Sequence, residues 1–121
     1  MGEFNFFIRE IYKVRGIFSV MGGILLKVHE SYRWVVAVCD KDVFGRKLVD
    51  GKRVLDVSGV FFEGEEMSDD EVREEIVRCN SEDATFNFVG ERSVGIAKEL
   101  GLVKDEGVVV IDGVPFALVL L

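Results

Sequence analysis

The chain has 121 residues, which suits one domain with a substantial buried core. It carries 15 Lys and Arg against 22 Asp and Glu, a net charge of −7, and such an acidic chain is a poor general polyanion binder. Two cysteines are too few for a disulfide scaffold, and no apolar run is long enough for a membrane-spanning helix.

The charge is unevenly spread along the chain. Residues 1–60 hold ten Lys and Arg against seven Asp and Glu, a net +3, whereas residues 61–121 hold five against fifteen, a net −10. A local basic patch in the first half is therefore compatible with the overall acidity. The abundance of charged residues and the absence of glutamine lean towards a heat-adapted, cytoplasmic protein.

Residues 1–20 are aromatic, basic and apolar without a clean period, and charged side chains interrupt any signal-peptide core. One interpretation is an extension upstream of the domain. The other is an amphipathic arm that packs on a partner subunit or a membrane surface. We therefore divide the chain into an N-terminal extension or arm, residues 1–20, and a single domain, residues 21–121.

Strands are predicted in the first half of the domain and again near the end of the chain. Residues 24–30 and 33–39 are rich in β-branched and aromatic residues on either side of a polar turn, which predicts a hairpin. Residues 40–53 are expected to form a long connection, and residues 54–58 alternate as a half-buried strand does. Near the end of the chain, Asp112-Gly113 between two apolar runs is a strong signal for a two-residue hairpin turn.

Two helices are predicted in mid-chain. The first begins with a capping box formed by Ser68 and Glu71, in which each side chain satisfies the other residue's N–H. The second is expected to begin at Asn87 as its N-cap and to end before Gly101. Gly90 and Gly95 fall within it, and each lowers helix stability by about 1 kcal/mol relative to Ala. Close backbone packing or a ligand near the N-terminus would offset that loss.

Helices grouped between strands predict an α+β fold. The expected order is β-β-β-(β)-α-α-β-β, which corresponds to a two-layer sandwich. In that arrangement a mostly antiparallel sheet carries both helices on one face.

Two candidate anion sites follow from the residue pattern. Four cations flank two glycines in the connection after the first hairpin, a pattern that suits a phosphate or an RNA backbone: Arg46, Lys47, Lys52 and Arg53. The competing interpretation is a solvated loop neutralised by nearby aspartates, which is the commoner case. The second candidate is the helix N-terminus from Asn87 to Gly90, although Glu91 would repel an anion there.

The remaining candidates concern metals and thiols. Glu63, Glu65 and Glu66 offer oxygen ligands, but their spacing matches no calcium loop, so we predict neither a metal nor a cofactor. Cys39 and Cys79 are expected to be plain buried thiols. A crosslink between them, and a nucleophilic Cys39 assisted by His29, remain open alternatives.

From Val38 to the end, the chain resembles a family of small archaeal proteins, the domain-of-unknown-function family numbered 424. The resemblance covers about residues 24–121 and rests on Phe44-Gly45-Arg46-Lys47, Leu55-Asp56-Val57-Ser58, Phe61-Phe62-Glu63-Gly64-Glu65, Thr85-Phe86-Asn87-Phe88-Val89-Gly90-Glu91-Arg92 and Gly113-Val114-Pro115. It implies an archaeal cytoplasmic source, a compact α+β domain and no established activity. Where family members carry His and Gln in the Gly-Val-Pro tail, this chain has Phe116 and Leu118, which weighs against an enzyme.

Three functional hypotheses follow, in decreasing order of support. The first is a non-enzymatic binding module that contacts RNA through Arg46, Lys47, Lys52 and Arg53. The second is a self-associating protein, a homodimer or a partner-binding protein, that uses the N-terminal arm and the apolar end of the chain, residues 116–121. The third is a metal-assisted enzyme that uses the glutamates of residues 63–66.

Overall fold

The computed structural model describes residues 23–120, and the expected N-terminal arm of residues 1–20 lies outside them. The strands are β1 Ile24–His29, β2 Val35–Asp40, β3 Lys47–Asp50, β4 Arg53–Asp56, β5 Glu65–Met67, β6 Thr85–Val89, β7 Val109–Ile111 and β8 Val114–Val119. The α-helices are α1 Asp69–Asn80 and α2 Glu91–Glu99, and a short 3₁₀ helix spans Asp105–Gly107.

Six of the strands form one sheet in the spatial order β5-β1-β2-β6-β8-β7, and β3 pairs with β4 in a separate hairpin. All neighbours in the sheet are antiparallel except β2 and β6, which are parallel. Parallel neighbours need a long crossover, and α1 lies within the segment that joins them. The predicted α+β class with a mostly antiparallel sheet is confirmed.

The sheet has an apolar core on each face because side chains alternate along a strand. On one face Phe86 and Phe88 pack with buried residues of both helices, so the two helices share one face as predicted. On the other face Cys39 and Val89 pack beneath Leu48 of the β3–β4 hairpin. The hairpin therefore adds a partial third layer that the sequence did not predict.

The expected long connection over residues 40–53 was wrong because it contains β3. Leu48 and Leu55 pair across the hairpin and face the core, while charged residues occupy most of the other positions. The turn has positive φ at Gly51, as a tight hairpin turn with glycine at its first central position requires. β3 has only four residues, two of them charged, so it lacks the longer apolar alternation on which a strand prediction depends.

Helix α1 begins as predicted. The Glu71 N–H donates to Ser68 Oγ over 3.3 Å, and the Ser68 N–H donates to Glu71 Oε1 over 3.0 Å. Along α1 the ion pairs join residues three apart, one of them Arg73 with Asp70. Asp69, in the first turn of α1, is bound by Arg92 of α2.

Helix α2 begins at Glu91 and not at Asn87, which corrects the predicted N-cap. Asn87 is the central residue of β6, where Thr85–Val89 alternates between the two faces of the sheet. The predicted end of the helix is confirmed. Gly101 has φ +78°, and the Leu102 N–H donates to Ala97 O over 3.0 Å, which closes a Schellman motif.

The Asp112-Gly113 hairpin is also confirmed, since both residues have positive φ between β7 and β8. Pro115 is the second residue of β8 and lies just beyond the last residue of β6. Its carbonyl oxygen accepts from the Gly90 N–H over 2.9 Å, so its missing N–H leaves this end of the sheet intact.

Candidate functional site

A cleft of about 550 Å³ lies where the parallel strands β2 and β6 end side by side. The carboxyl ends of neighbouring parallel strands are a common location for ligand sites, and this volume is in the range of small-molecule pockets. The residues that matter for its chemistry are Asp40, Asp42, Arg46, Gly90, Glu91 and Arg92. The cleft is thus lined by carboxylates and guanidinium groups together.

Asp40, the last residue of β2, caps the N-terminus of α2. Its carboxylate accepts from the Arg92 N–H over 3.0 Å, from the Ser93 N–H over 2.8 Å and from Ser93 Oγ over 2.7 Å. Asp40 is only 6% exposed, so these bonds form largely out of water. The first-turn donors of α2, which would otherwise receive an anion from solution, are therefore occupied by the protein's own carboxylate.

Gly90 allows this capping interaction. Its φ is +110°, and a Cβ built on it would lie 2.3 Å from Asp40 Cγ. A glycine at this position lets the carboxylate approach the helix, which explains one of the two glycines that looked costly in the sequence. Gly90 therefore lines the cleft as part of the scaffold, whereas Asn87, the other candidate of this pair, is not among the residues that line it.

The capping role of Asp40 could not be predicted from neighbouring residues, because its partners lie more than fifty positions away in the chain. One local signal pointed to the interaction. Ser93 is the polar residue on the apolar face of α2, and it is fully buried. A buried hydroxyl requires a hydrogen-bond partner, and here that partner is the Asp40 carboxylate.

The four predicted cations are all exposed, but they do not form one flat patch. Arg46 precedes β3 and lines the cleft. Lys47 lies opposite Asp56 on the outer face of the hairpin, whereas Arg53 lies opposite Asp50 on the other face. Lys52 occupies the turn. The hairpin thus presents positive charge at its base, at its tip and on both faces.

None of these four cations forms an ion pair with a carboxylate of residues 23–120. The ion pairs within that range use other cations: Lys41, Arg73, Arg78, Arg92 and Lys98. Asp56 faces Lys47 but is bound by Ser58, whose hydroxyl and N–H donate to it and lower its pKa, with a smaller contribution from Lys47. The predicted neutralisation of this loop by its own aspartates is therefore incomplete.

The acidic segment that was weighed as a metal site is divided between separate contacts. Glu65 and Glu66 are neighbours on β5 and point to opposite faces of the sheet. Glu66 is bound by Lys41 over 2.9 Å. Over residues 23–120 we find no group of three or more His, Cys, Asp or Glu side chains placed to hold a metal ion.

The two cysteines are free and buried on opposite faces of the sheet, so the crosslink considered from the sequence does not form. Burial, followed by the nearby Asp40 and Asp42, raises the pKa of Cys39 to about 12, which makes it a poor nucleophile. Cys39 pairs with Leu25 of β1, and His29 lies four residues further along that strand. At the rise of a strand, His29 is therefore about 13 Å from the position opposite Cys39. The ring of His29 stacks on Phe61, so the Cys39–His29 pair is ruled out.

Comparison with known proteins agrees with this architecture. A family model described as "Protein of unknown function (DUF424)" matches residues 29–121. An uncharacterized conserved protein from Methanopyrus kandleri, known from its crystal structure, is 27% identical with a TM-score of 0.71, over 78% of this chain and 88% of that one. A search of curated proteins gave no match. In the part of the chain that the structure describes, no helix is long and apolar enough to cross a membrane.

Proposed function

The chain belongs to the DUF424 family of proteins of unknown function, and we propose that it is a non-enzymatic module that binds RNA through its β3–β4 hairpin. The single observation that carries the proposal is the group of exposed cations on this hairpin that lack ion pairs within residues 23–120: Arg46, Lys47, Lys52 and Arg53. Cations without carboxylate partners are available to phosphates.

The net charge of −7 does not prevent such binding, because electrostatic interactions between exposed charges are local. At physiological ionic strength they are screened over a Debye length of about 8 Å. The acidic first turn of α1 and the hairpin lie on opposite faces of the sheet. An RNA strand on the hairpin would therefore lie across the sheet from the acidic first turn of α1.

The shape of the hairpin supports binding to the backbone of RNA. A two-stranded ribbon with cations along its outer face and at its tip can contact successive phosphates of a backbone. Val49 and Val54 are exposed between the cations, and no aromatic side chain is interleaved with them for stacking on bases. We therefore expect recognition of RNA shape and charge with little sequence preference.

Two features favour binding over catalysis. The Cys39 thiol is buried with its pKa raised to about 12, and the Asp40 carboxylate is bound by α2. Both groups therefore serve the scaffold. We place the module in the cytoplasm, where reduced thiols such as Cys39 and Cys79 persist.

The test is RNA binding as a function of salt, measured by fluorescence anisotropy with single-stranded and hairpin RNA. Four phosphate contacts predict an affinity about 50- to 150-fold lower at 200 mM than at 50 mM salt. The double variant Arg46→Glu with Lys47→Glu should lose binding. Its matched control, Arg33→Glu with Lys104→Glu, makes the same change of charge at two exposed cations outside the hairpin and should bind as the wild type does. Equal binding by both double variants, or no dependence on salt, would refute the proposal.

A further inference from the structure

Strand β8 has a free edge over its second half. β7 pairs only with its first three residues, Val114 to Phe116. On its other side, β6 pairs with β8 from Phe116 to Val119. Beyond the end of β7, no strand within residues 23–120 lies on that side of β8.

The backbone groups at this edge can be assigned from the ladder. Pro115 O accepts from the Gly90 N–H, so odd-numbered residues of β8 bond to β6 and even-numbered residues point the other way. The N–H and C=O of Leu118 are thus directed past the end of β7. No loop or turn backbone within residues 23–120 forms a hydrogen bond with them.

The same edge is apolar and borders a groove. Leu118 is 48% exposed and Leu120 is 68% exposed. A groove of about 480 Å³ separates residues 118–120 from the segment of residues 102–107, which includes Lys104 and Glu106. An exposed apolar strand edge with unpaired backbone groups favours the addition of another strand.

We propose that the added strand is β8 of a second copy, paired antiparallel across a two-fold axis. This arrangement is self-complementary, because Leu118 faces Leu120 of the partner subunit and the reverse contact is identical. The groove wall carries one cation, Lys104, and one anion, Glu106, so the approach of a second copy does not bring together an excess of like charge. The two sheets then form one continuous sheet, which gives a specific geometry to the self-association expected from the apolar end of the chain.

The first test is sedimentation of the full-length chain from micromolar to submillimolar concentration. The wild type should be a dimer that dissociates on dilution. Leu118→Lys with Leu120→Lys places like charges across the two-fold axis and should remain monomeric throughout. The control pair, Val60→Lys with Val77→Lys, changes two valines that are 73% and 58% exposed elsewhere and should dimerise as the wild type does. A monomeric wild type, or a dimeric Leu118→Lys, Leu120→Lys variant, would overturn the proposal.

The second test uses backbone hydrogen bonds and no change to the leucines. In the dimer, the Leu118 amide should exchange with solvent at least tenfold more slowly than after dilution to monomer. Leu118→Pro removes a donor that the sheet of one copy does not use, so the variant should fold and should dimerise at least tenfold more weakly. Leu118 exchange that does not depend on concentration would show that the edge is unpaired, whatever the variants do.

Discussion

Replacing Gly90 by alanine tests the contact that organises the cleft. Gly90 has φ +110° and ψ 158°, a backbone region that is essentially restricted to glycine. The new Cβ would lie 2.3 Å from Asp40 Cγ and 2.5 Å from its Oδ2. Because Asp40 holds the first-turn donors of α2, the substitution strains the backbone and also displaces the cap.

The expected loss combines these two effects. A non-glycine residue in this region costs about 1–3 kcal/mol. The loss of an N-cap costs about 0.5–2 kcal/mol. We therefore expect Gly90→Ala to lower the free energy of unfolding by about 3 kcal/mol, a large fraction of the total for a domain of this size.

Gly95→Ala is the matched control, since it makes the same chemical change in the same helix. Nothing lies within 4 Å of a Cβ at Gly95, and its φ is not in the left-handed region. Alanine there should raise the free energy of unfolding by about 1 kcal/mol. The two substitutions therefore have opposite predicted signs.

Urea unfolding followed by circular dichroism measures both changes. For an m-value of about 1.5 kcal/mol/M, the Gly90→Ala midpoint should fall by about 2 M. In an Asp40→Ala background the loss of stability caused by Gly90→Ala should be smaller, because the new Cβ no longer meets the Asp40 carboxylate. The coupling energy between the two substitutions should be about 1 kcal/mol. A Gly90→Ala loss below about 1 kcal/mol, or equal losses at Gly90 and Gly95, would refute the assignment of Asp40 as the cap.

Three further predictions concern single side chains. Asp40→Ala should lower the free energy of unfolding, measured in urea, by about 3 kcal/mol because it leaves buried donors unsatisfied. The control, Asp42→Ala at an exposed site, should change it by less than about 0.5 kcal/mol. Because its pKa is raised to about 12, Cys39 should react with a thiol reagent at pH 8 on the order of 10³-fold more slowly than a free cysteine. Rapid labelling of Cys39 in the native protein would contradict its burial. Hydrogen bonds from Arg73 lower the pKa of Glu99 below its ordinary value of 4.5. Glu99→Gln should therefore have a lower free energy of unfolding than the wild type above pH 4.5, and this difference should vanish as the pH falls through the lowered folded-state pKa. A difference that persists in acid would contradict the pairing.

Sequence by itself determined the elements whose signals are local. The capping box of Ser68 and Glu71, the Asp112-Gly113 turn and the end of α2 at Gly101 each depend on residues within a few positions of one another. Their hydrogen bonds form within a single turn, so the residue types specify the geometry directly. The α+β class followed from the order of these elements.

Only the tertiary structure decided where α2 begins and which carboxylate caps it. Asn87 has the chemistry of an N-cap, but pairing with β2 and β8 places it inside a strand. The actual cap, Asp40, comes from the end of β2 and reaches the helix because the two parallel strands end together. Likewise, within residues 23–120 the edge at Leu118 has no partner strand because β7 is shorter than β8. These features depend on contacts between distant segments, which no local pattern of residues encodes.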